Sequence, residues 1–170
     1  MPLPARLHAQ TVRAGRAGVW ALGLFLVAGA TLGSPPSDAA RQDILPATDA
    51  NLEAASLGRT VRIGAVASDG GVTELPLEVY VARVLAGEAE ASASGGAQQA
   101  LAIAARTYAT VNAGRHAREG FDLCDTTHCQ VWRAATASTR RAVLATAGLV
   151  LTYNGTPAEV FYSASCGGRT

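Results

Sequence analysis

Three groups of residues in this 170-residue chain have types and spacings that chemistry could use. The first is Glu88, which follows Val84 by four positions and extends an apolar helical stripe of Leu77, Val81, Val84 and Leu85. A carboxyl group at the end of such a stripe is partly desolvated. Desolvation favours the protonated form that a general acid needs to protonate a glycosidic oxygen. The same placement suits a Glu that reaches solvent at a helix end or pairs with Arg83 or Arg106, and the pattern alone favours this plainer role. The nearby Glu90 reads as a solvated side chain. The second group is Cys124-Asp125-Thr126-Thr127-His128-Cys129, with His116 upstream. Two thiolates and one or two imidazoles are ligands for tetrahedral zinc, although the spacing is not that of a zinc finger. In an oxidising compartment the same pair reads equally well as a Cys124–Cys129 disulfide, with Cys166 left over. His128 beside Cys129 does not define a nucleophilic dyad, which is an arrangement in space. The third group, Ser163-Ala164-Ser165-Cys166-Gly167-Gly168, has the small residues that let a polar ligand come close, or that make an ordinary turn.

The elements that must position these residues can be read from periodicity and punctuation. Thr60 to Val66 alternates as a strand, Asp69-Gly70-Gly71 signals a turn, and Val72 to Leu75 is a second extended piece. Pro76 suits the first turn of the helix that begins at Leu77. Gly87 and the Ala/Ser/Gly run from Ala89 to Gly96 end or bend it. A second helix is expected from Ala97 to Asn112, rich in Ala that permits close approach, with Gly114 as its stop. An irregular stretch from Arg115 to Gln130 carries the Cys/His group. A third helix is expected from Ala137 to Ala147, ending at Gly148. Leu149 to Tyr162 reads as a hairpin turning at Asn154-Gly155. Strand pieces, two helices, a loop, a helix and a hairpin make an α+β fold of helices packed with short antiparallel sheet pieces.

Composition narrows the chemistry further. The chain is 49% hydrophobic and 16% charged, which fits a folded domain and not a disordered tail. Its 14 positive side chains are all Arg, so phosphate-loop and Schiff-base mechanisms that need Lys are out. A net charge of +1 argues against nucleic acid as a partner. Arg6, Arg13 and Arg16 precede an uncharged apolar stretch, Gly18 to Gly33, with small residues at Ala28-Gly29-Ala30. This reads as a secretory signal or membrane anchor over 1–33, and it predicts an extracytoplasmic protein that touches a membrane only through that segment. Residues 34–58, with Pro35, Pro36 and Pro46, read as a linker. The folded domain is expected over 59–170.

Taken together, the motifs resemble the SpoIID/LytB family, the stage II sporulation protein D group. The matching runs are Leu75-Pro76-Leu77-Glu78-Val79-Tyr80-Val81 leading to Gly87-Glu88, then Ala100 to Ala109, then Cys124 to Val131. Gly148 to Gly155 and Phe161 to Gly168 follow in the family's order. The resemblance implies a lytic transglycosylase that cleaves the bond between N-acetylmuramic acid and N-acetylglucosamine of peptide-stripped strands, leaving a 1,6-anhydro sugar. It implies Glu88 as the acid and base. It implies that Arg106 orients Glu88 or contacts the glycan, with a structural ion pair as the alternative. Gln130, Ser163, Ser165, Gly167 and Gly168 would line the sugar groove. No cofactor is needed for the chemistry. The resemblance also implies a structural zinc on His116, Cys124, His128 and Cys129, a shell too closed for a zinc hydrolase. The family includes amidase enhancers, so a peptidoglycan-binding protein that stimulates a cell-wall amidase is the alternative function. Two departures stand out. The Met-Pro and Trp-containing stretch that usually follows Gly-Glu is here Ala89-Glu90-Ala91-Ser92-Ala93-Ser94. The family's domain also normally runs on past Thr170, so a C-terminally truncated domain is expected.

Overall fold

A computed structural model describes residues 47–67 and 70–162. The candidate signal segment, Ser163, Ser165, Gly167 and Gly168 lie outside the described residues. The first element falls inside the expected linker. Helix α1 (Asp49–Ala55) is capped by Thr48, whose hydroxyl accepts from the Asn51 N–H, and Leu52 anchors it with no exposed surface. The Ser56 hydroxyl then joins it to the domain, donating to the Leu52 carbonyl at 2.8 Å and accepting from the Glu78 N–H at 2.9 Å. Folded structure therefore starts before residue 59. The linker reading misses it because a single large apolar residue, Leu52, among seven gives no periodic signal.

Strand β1 (Thr60–Gly64) pairs antiparallel with β2 (Val72–Pro76) and parallel with the short β3 (Leu123–Cys124), giving the order β2-β1-β3. The parallel pair departs from the all-antiparallel expectation and places Cys124 opposite Gly64. A Cβ on Gly64 would lie 2.6 Å from the Phe121 ring, so only glycine there admits Phe121. Phe121 in turn stacks on His116, 4.9 Å between centroids.

Pro76 ends β2 and immediately precedes α2 (Leu77–Glu88), without a side-chain capping bond. The expected single stripe proves too narrow. Glu78, Val79, Tyr80 and Ala82 are buried as well, because α2 is central and packs against α1, α3 (Gly95–Val111), α4 (Ala137–Ala145) and β2. Helix α3 starts two residues before the expected position, capped by the Ser94 hydroxyl on the Ala97 N–H. Ala102, Ala105 and Ala109 let it lie close to the core. A reciprocal Thr136–Thr139 capping box starts α4. The hairpin is shorter than expected, with β4 (Thr152–Tyr153) pairing β5 (Thr156–Pro157) and Asn154 and Gly155 both at positive φ in the turn. The molecule is α+β: helices around a buried α2, flanked by one three-stranded and one two-stranded sheet among the described residues.

Candidate functional site

Glu88 is the last residue of α2 and is half-buried. Its Oε1 accepts from the Val131 N–H at 2.8 Å. The preceding Gly87 makes this contact attainable. A Cβ on Gly87 would lie 2.5 Å from the Val131 carbonyl oxygen, so any side chain would push the 131–132 segment off the helix end. Among the described residues Oε2 has no hydrogen-bond partner. One oxygen is thus held by the backbone and the other is available to exchange a proton with a ligand.

Glu88 stands where two clefts meet. One, of about 230 Å³, is shared with Tyr108, Arg115, His128, Phe161 and Tyr162. The other, of about 220 Å³, is shared with Glu90, Ala93, Leu101 and Tyr162. Tyr162 borders both, as Glu88 does. Burial raises its phenol above the ordinary range, and the nearby Glu88 charge raises it further against the opposing hydrogen bond from Gln130.

Gln130 does not line the groove. It is buried, and its amide receives the Tyr80 hydroxyl at 2.9 Å and donates to the Ala105 carbonyl at 3.2 Å and to the Tyr162 hydroxyl at 2.7 Å. Its place is behind Tyr162, whose oxygen it holds. Tyr162 can then direct its own proton into the clefts, since no acceptor among the described residues takes it.

Arg106 is likewise not a groove residue. It has no exposed surface, and its guanidinium is forked onto the equally buried Glu78, with Nη2–Oε2 at 2.7 Å and Nε–Oε1 at 2.9 Å. Its Nη1 donates to the Leu149 carbonyl at 3.0 Å, and the Gly148 N–H donates to Glu78 Oε1 at 3.1 Å. The ion-pair alternative holds: Arg106 ties α3 to α2 and to the turn after α4, and makes no bond to Glu88.

The four predicted metal ligands converge. One ligand atom each from His116, Cys124, His128 and Cys129 lies within 4.8 Å of the others. Cys124 Sγ and Cys129 Sγ are free thiols 3.0 Å apart, and His128 Nδ1 is 3.6 Å from each. His116 Nε2 is 3.4 Å from Cys129 Sγ. Its Nδ1 meets Glu119 Oε2 at 2.8 Å, the carboxylate support that commonly orients a metal-bound imidazole. Burial pushes the Cys124 thiol up, but bonds from Cys129, Thr126 and His128 outweigh it and bring it down to about 7. Burial and the adjacent Cys124 sulfur push Cys129 up to about 11. The Cys124 thiol is thus the easier of the two to ionise, with His128 beside it and His116 beside Cys129. This donor set fits a tetrahedral zinc ion and fills all four positions.

A family model, stage II sporulation protein (SpoIID), matches residues 68–153, just over half of the chain. The chain belongs to the SpoIID family. No curated protein matches it. The match spans the Gly87-Glu88 pair, α3, the Cys/His loop and the first hairpin strand, and it assigns the chain a sporulation and cell-wall role. Sequence reasoning missed Tyr108, Arg115 and Tyr162 in the clefts, and Glu119 behind His116. Tyr162 adjoins the Ser163–Gly168 run, and Glu119 follows His116 by three residues, so both signals were present but carried no periodicity.

Proposed function

We propose that this SpoIID-family chain is a peptidoglycan lytic transglycosylase with Glu88 as its acid and base. The observation that carries the reading is the placement of Glu88, one carboxyl oxygen fixed by the Val131 N–H at 2.8 Å and the other open where two clefts meet. A glycan laid through both clefts would put its scissile bond over the carboxyl group. Protonated Glu88 gives its proton to the bridging oxygen as the bond to C1 of the muramyl residue breaks. The carboxylate so formed takes the proton of the muramyl 6-hydroxyl as O6 closes on C1. The proton lost is regained, no water enters, and the product is a 1,6-anhydro end. A single carboxyl group suffices because the sugar supplies the nucleophile, whereas a glycoside hydrolase ordinarily uses two.

The Cys/His set would hold zinc through His116 Nε2, Cys124 Sγ, His128 Nδ1 and Cys129 Sγ. With all four positions filled by protein, the ion would supply cross-linking rather than a bound water. His128 and Cys129 border a Glu88 cleft, so the cross-link would stiffen its wall. The site of action would lie outside the cytoplasm, with wall glycan as partner and a cell-wall amidase as the source of peptide-free strands.

The test is digestion of peptide-free glycan strands, with mass spectrometry of the ends. The expected result is anhydro-muramyl ends from the native chain, and at least about a hundredfold fewer from Glu88→Gln, the scale of a lost general acid. Reducing ends would make the protein a hydrolase. No cleavage, with stimulation of an amidase retained, would make it an enhancer.

A further inference from the structure

Beyond Glu88 the structure has a larger cleft, of about 370 Å³, where α2, the 132–135 segment and α4 meet. Arg83, Trp132, Arg133, Arg140 and Asp49 line it. The Arg83 guanidinium lies 5.2 Å over the Trp132 ring, within cation–π range, which holds its charge against the wall. Arg140 Nε donates to Asp49 Oδ1 at 2.6 Å. The Arg133 N–H donates to the Arg83 carbonyl at 3.0 Å, which fixes its backbone. Its side chain is exposed, with no hydrogen-bond or ion-pair partner among the described residues. Three guanidinium groups therefore face one carboxylate. Elsewhere Arg59, Arg62 and Arg106 each meet a carboxylate, while Arg115, Arg118 and Arg141 have no ion pair among the described residues; what sets this cleft apart is that its arginines stand together beside Trp132. An uncompensated pair of guanidinium groups beside an aromatic wall suits an oxyanion carried on a larger body. The planar fork of Arg matches a carboxylate by two parallel hydrogen bonds.

The placement relates this cleft to Glu88. Arg83 and Glu88 are five residues apart on α2, about 7.5 Å along the helix at 1.5 Å per residue. The 131–133 segment runs beside both, Val131 bonded to Glu88 and Arg133 to Arg83. The two residues are turned away from each other around the helix and their clefts share no lining residue, so a strand that reaches both must cross this segment. We propose that this cleft is a subsite for the carboxylate of a muramyl residue on the same glycan strand, bound by Arg83 and Arg133 beside Trp132. The inference rests on the transglycosylase reading. The lactyl carboxylate of muramic acid is free only where no peptide is attached, so the cleft would select bare sugar chemically and not only by size.

The experiment uses the full chain carrying Glu88→Gln, to separate binding from turnover. Calorimetry would compare glycan oligosaccharides with free carboxylates, the same oligosaccharides converted to methylamides, and poly(glycerol phosphate). Expected is at least about tenfold tighter binding of the free carboxylates than of the methylamides. Adding Arg133→Gln should remove that difference. Arg133 is the residue to change because its side chain supports nothing else in the fold. In the chain with Glu88 intact, Arg133→Gln should raise KM on free-carboxylate strands and leave kcat unchanged. Equal binding of both glycans, an unchanged KM in Arg133→Gln, or poly(glycerol phosphate) as the tightest ligand would each overturn the proposal. Failure of the underlying reading looks different. There the native chain yields no anhydro ends on any glycan, whatever the carboxylate preference in binding.

Discussion

At the scale of single residues, Gly87 and Glu88 divide one task. Glu88 offers the carboxyl group, and Gly87 clears the space that lets the Val131 N–H reach it. Gly87→Ala therefore tests the support without touching the acid. Its Cβ would sit 2.5 Å from the Val131 carbonyl oxygen, and that neighbour is backbone, which cannot swing aside as a side-chain tip would. The expected result is a loss of about 1–3 kcal/mol of stability, the usual cost of overpacking. Cleavage by the folded fraction should fall with it, because Val131 no longer fixes Glu88. Denaturant titration and a digest of peptide-free strands would read the two effects. Unchanged cleavage would mean that the Val131 bond is dispensable. The apolar stripe alone favoured a plain surface Glu88 and only the resemblance through Gly87-Glu88 pointed to an acid, while the composition read Gly87 as a helix stop. Its second duty depends on a segment some 44 residues on (Gly87 to Val131), and no local pattern reports such a neighbour.

At the scale of elements, α2 was legible from the helical spacing of its apolar residues, α3 from its strong helix formers, and the ends of α3 and α4 from Gly114 and Gly148. What spacing did not show was that α2 is enclosed on nearly all sides, with Glu78 among its buried residues. A Glu one position after Leu77 looks like a first-turn surface residue. Its true partner, Arg106, lies on a different helix and looked like a candidate ligand for the glycan. Both are at zero exposure, and their fork joins the two helices while Leu149 and Gly148 tie in the turn after α4. Arg106→Met should cost about 3 kcal/mol, the low end for a broken buried pair, since Glu78 loses its forked partner and keeps only the half-exposed Arg59, 3.6 Å from Oε1. The double change Glu78→Gln with Arg106→Met should recover part of that loss, because no buried charge is left without a partner and the half-exposed Arg59 can turn to solvent. Chemical denaturation of the two variants would decide it. A single variant as stable as the native chain would mean that the pair is not what joins these helices. Helix α1 gave less sequence signal still, because it is held by one buried Leu52 and the shared Ser56 hydroxyl rather than by a repeating face.

At the scale of the whole molecule, the segment from His116 to Arg133 connects everything with chemical potential. It begins at the His116–Glu119 pair and continues through β3 and the two thiols. Gln130 then holds Tyr162, Val131 holds Glu88, and Trp132 and Arg133 border the cationic cleft. Two residue pairs with β1, the Arg62–Asp122 ion pair, the Gln130 bonds and the Val131 and Arg133 N–H groups hold this segment, and an ion on its four ligands would add a cross-link at its centre. The resemblance pointed to these four residues but not to this reach: it put Gln130 in the groove and offered Arg106 as a groove residue or an ion pair, while the groove among the described residues is bordered by Tyr162 and Tyr108. Zinc that binds only the folded chain raises its stability by mass action, by about 2.7 kcal/mol at a hundredfold excess over the dissociation constant. Metal analysis of the purified protein should find one zinc per chain, and a chelator should lower the melting temperature. Cys129→Ser should show the same lowered melting temperature without chelator and respond little to added zinc. Because Val131 lies two residues from Cys129, metal removal should also slow cleavage of peptide-free strands at temperatures where the helical core is still folded. Cleavage that survives full removal of zinc, with the core intact, would show that β3 and the Gln130 bonds alone hold Val131 against Glu88.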